Sequence, residues 1–301
     1  MTIHLTQAFR QRARKFVGRV RSRARELPHV AWRDNKIAEL TESRARAAKE
    51  LTKARTALVD APSFDGYIHA QRRIHSHMRD GNDADRASSL SRKLKAYSFA
   101  QSHGLAIPKL YGMWNQPEHI DWDELPDEVV IKSLTGSSGR GVFPLRRVDG
   151  KWTMVTVEGS IAPEEIVERI SERRAEHRIG GPFFAEQLLH GRGQDTLPVD
   201  AKILSFYGEV GHVLLRTVPM HTDQQSIAFR IIRPDGSDPG DILRGHPYDP
   251  DIPIPENLDS LMDTAKMLSA NIPAAYMRVD LYDIDSTVVF GEFTPRPGGS
   301  Q

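Results

Sequence analysis

The sequence contains no cysteine among its 301 residues. Disulfide bonds, thiol catalysis and thiolate metal sites are therefore all excluded. Any metal that the protein binds must be held by oxygen or nitrogen ligands. The absence of cysteine also fits a reducing compartment.

Long apolar runs and a strong net charge are missing as well. The first twenty residues lack the apolar core of a secretory signal, and no later stretch is long enough to span a bilayer. We therefore expect a cytoplasmic protein. Lysine and arginine together number 41 and aspartate and glutamate 40, so the chain as a whole shows no preference for nucleic acid.

Positive charge is concentrated at one end of the chain. Residues 1–60 carry 15 Lys or Arg against 6 Asp or Glu, whereas the remainder carries 26 against 34. The pattern predicts a basic helical arm with helices over about 8–26 and 35–59. This arm suits an acidic polymer or peripheral contact with an anionic membrane; nucleic acid is not expected, because interleaved aromatic residues are few. The apolar spacing of the second helix predicts packing against the protein body and leaves oligomerisation open.

The rest of the chain changes from helical to β-rich near residue 126. Helices are predicted over about 68–78 and 85–104. From Val129 onward, short β-branched runs alternate with turn residues, and two helices interrupt them near Pro163 and Leu258. The predicted class is α+β, with mostly antiparallel strands.

The first motif with chemical meaning is VVIKSLTGSSGRGVFPL. A strand ending in Lys132 leads into a glycine- and serine-rich hairpin, whose backbone N–H groups and hydroxyls suit phosphate oxygens. It lacks the GK[ST] of a Walker A loop and the spacing of a dinucleotide fingerprint. An ordinary surface turn is the alternative. The phosphate-binding candidates are Lys132, Ser137, Ser138, Gly139 and Gly141.

The second motif is MRVDLYDIDSTVVFGEFTPRPGG, two strands joined by a short turn. Asp280, Glu292 and Thr294 are separated by even numbers, so we expect them to share one face of a hairpin without a bulge. Two carboxylates on one face suit Mg²⁺, which is typically completed by substrate phosphates. A solvated acidic face is the alternative.

Together these motifs resemble the ATP-grasp superfamily, and specifically its TupA-like branch, associated with teichuronopeptide and other cell-envelope polymer synthesis. The resemblance begins near Ser89 and implies two α+β subdomains that grip ATP, preceded here by the basic helical region. It also implies that Asp280, Glu292 and Thr294 bind Mg²⁺, with Thr294 standing where the family usually has Asn. Arg296 resembles the family arginine that contacts the substrate or developing charge.

Further positions match the family one by one. Lys93 and Lys132 resemble its two phosphate-binding lysines, and Lys202 resembles a further catalytic phosphate contact. Glu186, Gln187 and Leu188 resemble the linker that surrounds adenine, with Glu186 directed at the base or ribose. The implied domains are a basic arm over 1–60, a helical N-terminal subdomain over 61–125, a lid subdomain over 126–190 and a C-terminal subdomain with the Mg²⁺ and phosphate site over 191–301.

The activity implied by the resemblance is that of an ATP- and Mg²⁺-dependent carboxylate–amine ligase. ATP would convert a carboxylate to an acylphosphate, which an amine or similar nucleophile then attacks. The resemblance implies a small molecule or an acidic polymer of the cell envelope as the substrate. A phosphotransferase acting on a hydroxyl is one alternative. A non-catalytic ATP-binding scaffold is another, suggested by Thr294 and by the end of the chain soon after PRPGG.

Overall fold

A computed structural model describes most of the chain. The described residues are 15–16, 28–59, 63–78, 86–136, 139–155, 157, 159–191, 197–218, 227–242 and 246–297. The chain forms two compact units, residues 1–69 and 70–301. The α+β class and the helical N-terminal region are confirmed.

The described residues of the N-terminal region include the helices α1 (Pro28–Val59) and α2 (Phe64–Met78). Proline is compatible with the start of α1, because the first helical position needs no backbone N–H donor. Trp32, Ile37 and Leu40 on α1 are exposed. The helix predicted over 8–26 lies almost wholly outside the described residues. No helix in the described part of the chain is long and apolar enough to cross a membrane.

The single helix predicted over 85–104 is wrong. The structure has two helices there, α3 (Arg86–Ser89) and α4 (Lys93–Ser102). Between them, the Ser91 hydroxyl donates a hydrogen bond to the Ser88 carbonyl at 2.7 Å. Serine side chains compete in this way with the regular helical pattern of backbone hydrogen bonds.

The first sheet has five antiparallel strands in the order β1-β5-β2-β3-β4. Its elements are β1 (Leu110–Trp114), β2 (Glu128–Thr135), β3 (Val142–Val148), β4 (Lys151–Met154), helix α5 (Pro163–Ala175) and β5 (Gly180–Glu186). Strand β1 was not predicted. On one face, Ile131 and Phe143 pack with Ile166 of α5. Because side chains alternate along a strand, Lys132 lies on the opposite face.

The second sheet also has five antiparallel strands, in the order β10-β9-β6-β7-β8. Its elements are β6 (Asp200–Phe206), β7 (Glu209–Thr217), β8 (Ala228–Ile232), helix α6 (Leu258–Ala270), β9 (Met277–Ile284) and β10 (Thr287–Thr294). Helices α4 and α6 pack against the sheet. Ile203 and Val279 face this core. Lys202 and Asp280, one residue away on each strand, therefore lie on the other face.

The β9–β10 hairpin contains a bulge at Gly291. Phe290 pairs with Leu281, but Glu292 pairs with Asp280, so Gly291 is skipped. The prediction of a hairpin without a bulge is wrong: the regular register would place Glu292 opposite Val279, on the core face. The bulge turns Glu292 onto the face of Asp280.

The bulge requires glycine because the backbone passes close to its neighbours. A Cβ atom at position 291 would lie 2.8 Å from the Tyr282 ring and 3.0 Å from the Asp280 carbonyl oxygen. Gly211 is skipped in the same way between β6 and β7. A Cβ atom there would lie 2.7 Å from the Phe206 ring. The two glycines therefore make a matched pair, and only Gly291 adjoins the predicted Mg²⁺ ligands.

We predict that Gly291→Ala and Gly211→Ala each lower the free energy of unfolding by about 1–3 kcal/mol, because both introduce steric overlap. Only Gly291→Ala should also weaken binding of Mg-ATP, because it displaces Glu292. Chemical denaturation and calorimetric titration with Mg-ATP measure the two effects. Equal nucleotide affinity in the two variants would show that the bulge does not set the site geometry.

Candidate active site

Charged side chains form a connected network on the face of the second sheet that lies opposite its apolar core. Lys202 of β6 lies between two carboxylates: its Nζ is 2.8 Å from Asp200 Oδ2 and also forms an ion pair with Asp280 Oδ2. Lys202 and Asp280 are direct cross-strand partners. All three side chains are buried. Lys202 therefore holds Asp280 in place through a charge-assisted bond.

Arg278 is at the centre of this network, although it was not among the site residues predicted from the sequence. Its Nε donates to Asp280 Oδ1 at 2.7 Å, and its Nη2 donates to Asp280 Oδ2 at 2.9 Å. The same Nη2 donates to Thr294 Oγ1 at 2.9 Å and to Glu292 Oε1 at 3.3 Å. The available signal was strand parity, because Arg278 lies two residues before Asp280 and so shares its face.

Burial and neighbouring charge act in opposite directions on Arg278 and Glu292. Burial by itself lowers the pKa of Arg278, but Asp280 and Glu292 raise it above its ordinary value. Burial by itself raises the pKa of Glu292, but Lys202, Arg278 and Lys93 hold it at about 2. Because 42% of the Glu292 side chain is still open, solvent screens part of this attraction. Glu292 is ionised at neutral pH.

The three predicted metal ligands meet at one point. Oxygens of Asp280, Glu292 and Thr294 all bond to Arg278 Nη2, and Thr294 Oγ1 lies 3.5 Å from Glu292 Oε1. Within the described residues, no three His, Cys, Asp or Glu side chains are grouped to hold a metal. Two carboxylates and a hydroxyl fit Mg²⁺, which commonly takes its remaining ligands from water and substrate phosphates.

A second charged group lies on the first sheet. Lys132 Nζ forms an ion pair with Glu186 Oε1, and the hydroxyl of Tyr97 donates to Glu186 Oε2 at 2.7 Å. Glu186 was expected to face the base or ribose. In the structure both of its carboxylate oxygens bond to protein groups, and the side chain is 3% exposed. Lys132 remains 16% exposed.

Lys93 lies within electrostatic range of both charged groups. It lies on α4, is buried, and is one helical turn before Tyr97. Burial lowers the pKa of Lys93; Glu292 opposes this shift, Lys132 adds to it, and Glu186 also opposes it. The predicted phosphate-binding lysines Lys93 and Lys132 are thus brought together with Glu292, although they come from distant parts of the chain.

The linker after β5 contributes to a small buried apolar cluster. The Gln187 backbone N–H donates to the Lys109 carbonyl at 2.8 Å. Leu188 is buried with Val130 and Val155, and Val142 packs against them. Val130 lies two residues before Lys132 on the same face of β2. The adenine contacts predicted for Gln187 and Leu188 stay predictions.

The glycine-rich hairpin follows directly from β2. Gly139 and Gly141 have φ angles of +70° and +107°, values that favour glycine. A Cβ atom at position 141 would overlap the Ser133 hydroxyl and lie 3.0 Å from Ile179. Ser137 and Ser138 lie outside the described residues, so their predicted phosphate contacts stay predictions.

Arg296 lies just beyond β10, and its Nη1 donates to the buried Ser88 Oγ at 2.6 Å. Ser88 belongs to α3, so this contact joins the segment after β10 to α3. Arg278, by contrast, contacts four oxygens of three predicted site residues, Asp280, Glu292 and Thr294. The substrate contact predicted for Arg296 stays a prediction.

A sequence profile of the TupA-like ATPgrasp family matches residues 72–301. No protein of curated function matches the chain. Among solved structures, the ATP-grasp ligase PsnB with a minimal precursor is 15% identical, with a TM-score of 0.40, over 70% of this chain and 55% of that chain. D-alanine–D-alanine ligase from Bacillus anthracis with ATP is 14% identical, with a TM-score of 0.44, over 70% and 57%.

A further similar structure is the RiPP-associated ATP-grasp ligase from Chryseobacterium gregarium with ADP and a leader and core peptide. It is 12% identical, with a TM-score of 0.39, over 80% of this chain and 65% of that chain. The present chain thus spans less than two thirds of the length of the first structures it matches. The family profile covers most of the sequence, and the chain belongs to the TupA-like ATP-grasp family.

Proposed function

We propose that the protein is an ATP-dependent ligase that activates a carboxylate as an acylphosphate and couples it to an amine. Family membership supports ATP-dependent ligation in general. The observation that carries the proposal is the meeting of the oxygens of Asp280, Glu292 and Thr294 at Arg278. Oxygens that could hold Mg²⁺, together with the cation Arg278, suit the terminal phosphate of ATP and the substrate carboxylate that attacks it.

In this proposal, Asp280, Glu292 and Thr294 would hold Mg²⁺, which when bound neutralises phosphate charge. Lys93 and Lys132 bind phosphate oxygens as charged donors. Lys202 acts by fixing Asp280, which it contacts directly. The partial burial of these groups limits screening by water, so each charge has a stronger effect than it would have in solution.

No protein nucleophile is required. An oxygen of the substrate carboxylate attacks the γ-phosphorus, the bond to the β-phosphate oxygen breaks, and ADP leaves. The amine nitrogen then attacks the carbonyl carbon of the acylphosphate, phosphate leaves, and the amine loses its proton to solvent. We assign to Arg278 the role of donating hydrogen bonds to the oxygens on which negative charge develops.

We propose an acidic small molecule or acidic polymer, in cell-envelope synthesis, as the substrate. The support is the charge distribution: residues 1–60 carry 15 basic and 6 acidic residues. A basic segment attracts anionic polymers and anionic membrane surfaces alike. A cytoplasmic protein with peripheral membrane contact is consistent with this charge.

The first prediction from this proposed function concerns the release of ADP from Mg-ATP in the presence of panels of amino acids, uronic acids and short acidic peptides. Release should require both a carboxylate and an amine and should yield a condensed product, identified by its mass. Glu292→Gln should lower turnover by about 100-fold or more, because it removes a charged group that positions the phosphates.

The matched control is Glu209→Gln, an exposed glutamate on β7, which should retain wild-type turnover. A stable phosphorylated product without condensation would identify a phosphotransferase instead. Nucleotide binding without turnover under any combination of substrates would favour a non-catalytic ATP-binding protein.

A second prediction separates the two arginines. Arg278→Lys keeps a positive charge but loses the planar fork that bonds Asp280 and Thr294 together. We expect kcat to fall by about 100-fold with a smaller change in the KM for ATP. Arg296→Lys should have a much smaller effect on kcat in the same assay. A larger loss in Arg296→Lys would return the catalytic role to Arg296.

A third prediction follows from the lowered pKa of Lys93. As the pH rises through this pKa, Lys93 loses its charge and affinity for ATP should fall. Because the pKa of Lys93 is lowered, this decline should begin at a pH below the ordinary lysine pKa of about 10.4. Lys93→Arg keeps the charge to higher pH and should move this decline upward. Calorimetric titrations with ATP from pH 7 to pH 10 measure the shift. Identical pH profiles for the two proteins would exclude Lys93 as the titrating group.

A further inference from the structure

Tyr97 is buried in α4 and forms one specific polar contact with the site. The residue is 2% exposed, and its hydroxyl donates to Glu186 Oε2 at 2.7 Å. Burial raises the pKa of Tyr97 well above its ordinary value, and the charge of Glu186 raises it further. The hydroxyl therefore stays protonated and remains a donor throughout the physiological range.

The ring of Tyr97 contacts one aromatic ring from each sheet. Its centroid lies 6.4 Å from that of Phe184 on β5, with an interplanar angle of 82°, and 6.1 Å from that of Phe290 on β10, with an angle of 85°. Both are edge-to-face contacts, a favoured arrangement of aromatic rings. The position of the hydroxyl is thus fixed by packing against the first sheet and the second sheet together.

Glu186 transmits this position to Lys132. One carboxylate oxygen bonds to Tyr97 and the other to Lys132. A buried carboxylate oxygen that loses its donor is costly, so Glu186 is held in one orientation by these two contacts. Lysine has a flexible four-carbon chain, and its direction must be set by the groups it contacts. Glu186 is that group for Lys132.

We infer that Tyr97 is a positioning residue that orients the phosphate-binding Lys132 through Glu186. This inference rests on the proposed function only in that Lys132 binds ATP phosphates. Because α4 also carries Lys93, one turn earlier, the same helix positions both phosphate-binding lysines. Tyr97 thereby couples the orientation of Lys132 on the first sheet to the packing of the second sheet.

Tyr97→Phe tests this inference, because it keeps the ring between Phe184 and Phe290 and removes only the hydroxyl. We expect affinity for Mg-ATP to fall by about tenfold, the effect of losing a hydrogen bond to a charged group. Affinity for adenosine, which has no phosphate for Lys132 to bind, should be unchanged. Calorimetric titration with Mg-ATP and, by competition, with adenosine measures both. An equal loss for the two ligands would mean that Tyr97 acts only on the fold.

A double-mutant cycle adds a readout that general destabilisation does not produce. In a Lys132→Met background, Tyr97→Phe should cause no further loss of Mg-ATP affinity, because its effect passes through Lys132. Independent, multiplying losses would overturn the inference. If Tyr97→Phe does not fold, Glu186→Gln in place of it should give the same dependence on Lys132, and multiplying losses there would overturn the inference equally.

The matched control is Tyr276→Phe, another buried tyrosine, whose ring packs against Phe206 just before β9. It should bind Mg-ATP as the wild type does, and a tenfold loss there would remove the specificity of the result. Failure of the wild type to bind Mg-ATP at all would contradict the proposed function. Wild-type binding with an unaffected Tyr97→Phe variant would contradict only the role of Tyr97.

Discussion

The structure depends above all on the pairing of buried charges across neighbouring strands. Lys202 is neutralised by Asp200 and Asp280, and Arg278 bonds to Asp280 and, more weakly, to Glu292. An isolated buried charge is costly, so each group keeps its position only while its partners keep theirs. The site is therefore organised before any ligand binds. Removing one member leaves the others uncompensated, which makes the network rigid rather than adjustable.

This pairing requires a sheet register that the sequence indicates only indirectly. Alternation along strands was enough to predict the strands other than β1, the α+β class and the motifs containing Asp280 and Glu292. It failed at Gly291, because a bulge changes which face follows. The signal was present in FGEF: Phe290 and Phe293 are three residues apart, yet both are buried in one core. Two core residues at odd spacing in a strand indicate a skipped position between them.

Partners could not be predicted as readily as positions. Lys132 was predicted from the glycine-rich hairpin that follows it, and Lys93 and Lys202 were predicted from the resemblance of short segments to the family. The bond between Tyr97 and Glu186 joins residues 89 positions apart, and no local pattern relates them. Arg278 was overlooked for a different reason, since a basic residue in a strand has no meaning until the acidic residues on its face are known. The residues that orient the site are thus the ones that depend on tertiary contacts.

The neighbouring cations of the site also explain why an anionic ligand would favour the protonated form of Lys93. Burial lowers the pKa of Lys93, and the nearby Lys132 lowers it further. A phosphate placed between these lysines would oppose both effects, because a nearby negative charge favours the protonated amine. By linkage, a group whose pKa rises on binding takes up a proton when the pH lies near that pKa. Under the proposed function, nucleotide binding at alkaline pH would then be coupled to proton uptake by Lys93, whereas Glu292, already ionised, would contribute no proton change near neutrality.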